Sequence, residues 1–104
     1  MIARGEGRIQ AEVLRYLRSL GVWCWAFKAE VSSERGVPDI ICCCRGRFVG
    51  LEVKSARGRI SGPQRVQLER IQRARGRAAV VRSVEDVKRV LTEIDREVEG
   101  EGDP

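Results

Sequence analysis

Gly36-Val37-Pro38-Asp39-Ile40-Ile41-Cys42-Cys43-Cys44-Arg45-Gly46-Arg47-Phe48-Val49-Gly50-Leu51-Glu52-Val53-Lys54 is the stretch on which the fold turns. Two apolar runs, Asp39 to Cys44 and Phe48 to Lys54, flank Arg45-Gly46-Arg47. Such runs read as strands, and a short glycine-containing break between them reads as a tight hairpin turn. Strand side chains alternate between faces, so Glu52 and Lys54 share one face of an otherwise apolar strand. A two-residue turn at Arg45-Gly46 sets Asp39 opposite Glu52, and a three-residue turn sets it opposite Val53. Either register gathers two carboxylates and one ammonium at the hairpin end away from the turn.

Before the hairpin, Ile9, Val13, Leu17 and Leu20 recur at steps of three and four, with arginines at 8, 15 and 18 elsewhere on the wheel. This predicts a helix over 6–20, ended by Gly21. Val22 to Phe27 reads as a strand and Lys28 to Val37 as a loop. Beyond the hairpin, Ser55 to Gly62 is a basic loop, and 63–75 predicts a helix with Leu68 and Ile71 inward, stopped at Gly76. Ala78 to Arg82 reads as a short buried strand. Ser83 caps a last helix with Val87, Val90, Leu91 and Ile94 inward. The order α-β-β-β-α-β-α predicts an α/β fold, a mixed four-stranded sheet flanked by helices and followed by a C-terminal helix. The 104 residues suit one domain, 1–104, with a core over about 6–95 and an acidic, Gly-rich, fraying tail over about 97–104.

The net charge of +5 is unevenly spread. Residues 1–82 hold 17 Lys and Arg against 7 Asp and Glu, whereas residues 83–104 hold 3 against 8. Arginine outnumbers lysine 17 to 3, and its planar fork of donors suits phosphate oxygens. Codon usage in a GC-rich genome also raises arginine, but a polyanion, DNA or RNA, is the partner this balance favours. Between Arg57 and Arg77 lie seven arginines and one acid, Glu69, which marks the basic loop and helix as a backbone-contact surface. Lys28, Arg57, Arg59 and Arg65 flank the hairpin end and are the leading contacts.

The chain has no histidine, which excludes Ser-His-Asp and Cys-His nucleophile arrangements and His-ligated zinc. Catalysis then rests on carboxylates, lysine, cysteine or a metal. Two neighbouring carboxylates repel, and a hard divalent cation such as Mg²⁺ removes the conflict. Lys54 beside it is suited to orient water, hold a phosphate oxygen, or act as a base. No apolar stretch is long enough to span a bilayer, and Met1 to Glu6 has no signal-peptide core. The four cysteines therefore read as reduced thiols in a cytoplasmic protein. Cys42, Cys43 and Cys44 alternate faces and cannot close one zinc site, so they read, with Cys24, as small buried apolar residues. Trp23 and Trp25 share a face, as core or partner-interface residues.

Pro38-Asp39, a gap of twelve residues and Glu52-Val53-Lys54 together resemble the PD-(D/E)xK nuclease signature. The match is closest to the VRR-NUC branch, through Glu6, Ile9-Gln10, Arg35-Gly36-Val37-Pro38-Asp39, Gln64 and Val80-Val81-Arg82-Ser83. The resemblance implies a restriction-endonuclease-like α-β-β-β-α-β core and phosphodiester hydrolysis with Mg²⁺ or Mn²⁺. It makes Asp39, Glu52 and the Val53 carbonyl metal ligands, Lys54 the catalytic lysine, and Glu6 a direct or water-mediated metal contact supported by Gln10. It also puts Gln64 beside the metal, although Ser61-Gly62-Pro63-Gln64 equally fits a helix-capping box. Minimal VRR-NUC proteins imply a structure-specific DNA endonuclease acting on Holliday junctions or other branched DNA, of phage or prophage origin, and the small size of the chain with the two-fold symmetry of a four-way junction favours a homodimer. The alternatives are a nicking or restriction-type nuclease on ordinary duplex, and a non-catalytic nucleic-acid-binding protein.

Overall fold

The computed structural model describes residues 5–30 and 34–101. Helix α1 spans Glu6–Ser19 and buries Glu6, Gln10, Val13 and Leu17 along one stripe, so two polar side chains continue the apolar face. A 3₁₀ turn, Gly21–Trp23, leads into strand β1, Cys24–Lys28. Strands β2, Ile40–Cys44, and β3, Arg47–Val53, follow, then helix α2, Gly62–Arg73. Strand β4, Arg77–Val81, and helix α3, Val84–Glu101, complete the chain. The sheet order is β1-β2-β3-β4, with the first two pairings antiparallel and β3–β4 parallel. The mixed four-stranded sheet of the α/β reading is therefore present.

Arg45 and Gly46 both have positive φ, 52° and 80°. The turn thus holds two residues in the left-handed region, the geometry whose twist matches antiparallel strands. Cys44 pairs with Arg47 and Ile40 with Leu51, so the ladder points Asp39 at Glu52.

One sheet face presents Cys24, Ala26, Ile40, Cys42, Cys44, Val49, Leu51, Val53 and Val81 to Val13, Leu17, Val87 and Ile94, and this is the core. On the other face α2 covers the β3–β4 half, where Gln64 reaches Glu52. By strand alternation Trp25, Phe27 and Cys43 of the β1–β2 half share that face with Phe48 of β3, and all four are exposed.

Four expectations change. The strand expected from Val22 begins at Cys24, because Gly21, at φ 65°, starts a 3₁₀ turn that takes up Val22 and Trp23. Trp23 consequently lines a cavity with Tyr16 and Leu20, beneath the Arg45 guanidinium, whereas Trp25 packs against Phe27 with ring centres 5.1 Å apart. They do not act as a pair. The tail expected to fray from about 97 is helical to Glu101, because Glu97 pairs with Arg77 and Glu101 with Arg47. Residues 102–104 of that tail, and 31–33 of the loop after Lys28, lie outside the described residues. Cys24 and Cys44 form a disulfide across β1 and β2, their Cα atoms 4.1 Å apart. The Trp23 carbonyl accepts from the Arg45 N–H, which makes Cys24 and Cys44 a closely spaced, non-hydrogen-bonded pair. Cys42 remains a buried thiol and Cys43 an exposed one, so only Cys42 behaves as the small apolar residue expected.

Candidate active site at the open end of the hairpin

Gly36 decides how the segment before Asp39 enters the sheet. It has φ +82°, and a Cβ there would lie 2.3 Å from the Pro63 carbonyl oxygen. Only glycine lets the Arg35-to-Asp39 segment press against the first turn of α2. Asp39 is then held from both sides. Its carbonyl accepts from the Ala29 N–H at 2.8 Å, and its Oδ2 accepts from the Val53 N–H at 2.8 Å.

Glu52 is 1% exposed, the largest polar side chain sealed in the interior. Its Oε1 accepts from Gln64 Nε2 at 3.0 Å, while Oε2 is buried without a hydrogen-bond partner. Burial first, then the neighbouring Asp39 carboxylate, push its carboxyl up from 4.5 to about 8. Glu6 adds to this rise and the Lys54 ammonium opposes it. A carboxylate this enclosed needs a cation or a proton.

Gln64 occupies the third position of α2 and serves two purposes. Its Oε1 accepts from the Ser61 N–H at 2.8 Å and its N–H donates to Ser61 Oγ at 3.3 Å, completing the capping box. Its Nε2 points the other way, to Glu52. The cap and the site contact, alternatives in the sequence, coexist because an amide has two ends.

Glu6 and Gln10 are 7% and 5% exposed, and Gln10 Oε1 has no partner. The Lys54 N–H donates to the Val81 carbonyl at 3.0 Å, extending the parallel ladder by one rung. Gln10, Lys28, Asp39 and Gln64 line one cleft of about 640 Å³. The sequence places Lys28 in the loop, but it is the last residue of β1; it still reaches the cleft. Arg57 and Arg59 are exposed on the loop before α2, and Arg65 is exposed on the first turn of α2.

The structure also brings in residues that sequence reasoning missed. Arg82 Nη1 donates to the Ser55 and Gly58 carbonyls at 2.5 and 2.8 Å. Its only sequence signal is its place in Val80-Val81-Arg82-Ser83. Gly58 approaches Glu6, the position of a Cβ there lying 3.2 Å from Glu6 Oε2. That contact needs the folded loop and has no sequence signal.

Among the described residues no helix is long and apolar enough to cross a membrane. No family model matches the chain, and none of the curated proteins matches it significantly. Solved structures do. A structure titled "VRR_NUC domain" superimposes with a TM-score of 0.70 at 25% identity, covering 84% of this chain and 94% of that one. Another, titled "VRR_NUC domain protein", gives a TM-score of 0.67 at 16% identity, covering 84% of each chain. The chain is thus an α/β domain with a buried carboxylate cluster. More particularly, it shares its fold with structures titled as VRR_NUC domains.

Proposed function

We propose that the chain is a metal-dependent DNA endonuclease that hydrolyses phosphodiester bonds, with branched DNA, Holliday junctions included, as its substrate class. The observation that carries this reading is Glu52, sealed from water beside Asp39 with one oxygen unpartnered. Carboxylate oxygens, a peptide carbonyl and water are the donor set that a hard divalent cation takes. Gln10, whose Oε1 is a second buried acceptor lacking a donor, lines the cleft that Asp39 and Gln64 also line. Asp39, Glu52 and the Val53 carbonyl would hold Mg²⁺ or Mn²⁺, with Glu6 assisting. Such an ion, when bound, supplies Lewis-acid polarisation of a phosphate oxygen and a lowered pKa for water.

The chain's own residues do the rest. Gln64 fixes the rotamer of Glu52, and the Val53 N–H fixes that of Asp39. Lys54 orients the attacking water and offsets the negative charge that builds as water adds to phosphorus and the ester oxygen leaves. Lys28, Arg57, Arg59 and Arg65 contact backbone phosphates around the cleft, which positions DNA without reading its sequence. The likeness to VRR_NUC structures supports the nuclease class, and the resemblance to minimal members of that branch favours branched DNA.

A homodimer completes the proposal. Trp25, Phe27 and Phe48 stand 62%, 39% and 45% exposed, and an apolar aromatic patch of this kind suits a second copy of the chain. A two-fold dimer presents two copies of one site to a two-fold junction.

The test is incubation with Mg²⁺ and a four-way junction, a flap and a linear duplex, with light scattering alongside. The expected result is chelator-sensitive cutting of the branched forms by a species near twice 11.7 kDa. Equal cutting of linear duplex would establish the nicking or restriction-type alternative. Binding without any cutting would overturn the enzyme reading, and junction cleavage by an 11.7 kDa monomer would overturn the dimer.

A further inference from the structure

We propose that Arg82 is a positioning residue whose guanidinium clamps the Ser55–Gly58 turn against the candidate active site. This rests on the endonuclease reading above.

The placement begins in the backbone. Arg82 follows β4 directly, and the Lys54 N–H donates to the carbonyl of its neighbour Val81, so the two chains run side by side where the sheet ends. Asp86 Oδ2 accepts from the Arg82 N–H at 2.9 Å, and Ser83 Oγ accepts from the Asp86 N–H at 3.2 Å. The start of α3 therefore anchors the Arg82 backbone. From that anchor Nη1 donates to two carbonyls of the turn, Ser55 and Gly58. The Gly58 N–H also donates to the Ser55 carbonyl, at 3.1 Å. One nitrogen thus caps a turn whose carbonyls share a single concave side.

The turn so held is pressed into the site. At Gly58 a Cβ would sit 3.2 Å from Glu6 Oε2 and 3.4 Å from Lys54 Cβ. Fixing the turn therefore limits where the Lys54 stem and the Glu6 carboxylate can go, and sets the origin from which Arg57 and Arg59 project. A guanidinium suits this task because it stays charged and offers donors in a fixed plane. Among the described residues Arg82 has no carboxylate partner for its side chain, unlike Arg45, Arg47, Arg77 and Arg89, each paired with an acid of α3.

The test has two arms on the full chain, amide exchange without metal or DNA and cleavage with Mg²⁺ and junction DNA. Amide exchange at residues 55–59 reads the order of the turn directly, while kcat on junction DNA reads its consequence. In Arg82→Ala, exchange at Gly58 should rise about tenfold or more with the sheet and helices unchanged, since local opening reports local contacts. The value of kcat should fall by about tenfold or more, because small misplacements of reacting groups are costly. Arg82→Lys, which keeps a donor within reach of the carbonyls, should recover part of both, and Arg82→Met neither. If Arg82→Ala does not fold, the Met and Lys pair decides. Wild-type exchange at Gly58 in Arg82→Met would overturn the clamp whatever happens to cleavage. A wild-type protein that cuts no DNA would instead overturn the endonuclease reading, and the exchange comparison would still decide the clamp.

Discussion

Gln64 Nε2 lies 3.0 Å from Glu52 Oε1, while the other end of the same amide closes the cap of its own helix. One side chain therefore couples the start of α2 to the most deeply buried carboxylate of the site. Replacing it by glutamate separates the two tasks, because Ser-x-x-Glu makes as good a capping box as Ser-x-x-Gln. Gln64→Glu should hold the thermal midpoint within a few degrees while cleavage falls about tenfold or more, since a carboxylate now faces Glu52. Parallel losses of midpoint and activity would reduce Gln64 to a capping residue.

Asp39→Asn, Glu52→Gln and Lys54→Ala should each abolish detectable cleavage while leaving junction affinity within about threefold, since phosphate contacts elsewhere supply the binding. Gel-shift and cleavage assays on the same substrate check this. Cleavage within about tenfold of wild type would remove that residue from the mechanism.

Gly36→Ala should destabilise the fold by about 1–3 kcal/mol or more, the usual range for overpacking, with a left-handed φ added. The reason is the 2.3 Å approach to the Pro63 carbonyl oxygen, backbone that cannot swing aside. Urea denaturation measures it. A loss no larger than that of an exposed surface substitution would mean that the segment before Asp39 can retreat from α2.

Junction binding should weaken steeply with salt, and Arg57→Ala with Arg59→Ala should lower the slope of log affinity against log salt by about two, one for each lost phosphate contact. Arg45→Ala should leave the slope unchanged, because Asp95 already neutralises that guanidinium at 3.0 Å. Equal slopes for wild type and the double variant would move the DNA surface elsewhere.

Metal-free protein should lose stability as pH rises. The Glu52 carboxyl, pushed up to about 8 in the fold from its ordinary 4.5, binds its proton more tightly folded than unfolded. That stabilisation is complete below about pH 4.5 and is lost as pH rises through about 8. The thermal midpoint should therefore decline over this window, and Mg²⁺ should raise it more at the alkaline end. Glu52→Gln should flatten the decline. An unchanged slope in that variant would assign the effect to other groups.

The hairpin was legible because its signals are local. Alternation sets the faces, glycine marks the turn, and the charges at 39, 52 and 54 interrupt otherwise apolar runs. Only the turn length stayed open, and the positive φ of Arg45 as well as Gly46 settles it at two. The gathering of Glu6 and Gln10 followed from one helical stripe. What escaped was long-range. The last turns of α3 hold through Glu97 and Glu101, whose partners Arg77 and Arg47 lie on strands far back in the chain. The Cys24–Cys44 bond depends on which residues become a closely spaced pair, which needs the β1–β2 register. Arg82 reads as one more arginine until the turn at 55–58 is folded beneath it.

The two-residue turn at Arg45 and Gly46 is exposed and begins six residues from Asp39, or about 20 Å along the strand. Exposed loop tips are ordinarily where a chain accepts extra residues. Here the tip is a length gauge for a site it never touches. A change at the tip that slips one strand by one residue against the other would turn Asp39 away from Glu52, even though nothing near either carboxylate had changed. Variation in chain length should therefore collect in the segment before Asp39 and in the basic loop, while the hairpin keeps a constant span. A survey of inserted and deleted residues across this fold would find its silent position at the tip, the place where surface exposure alone predicts the most freedom.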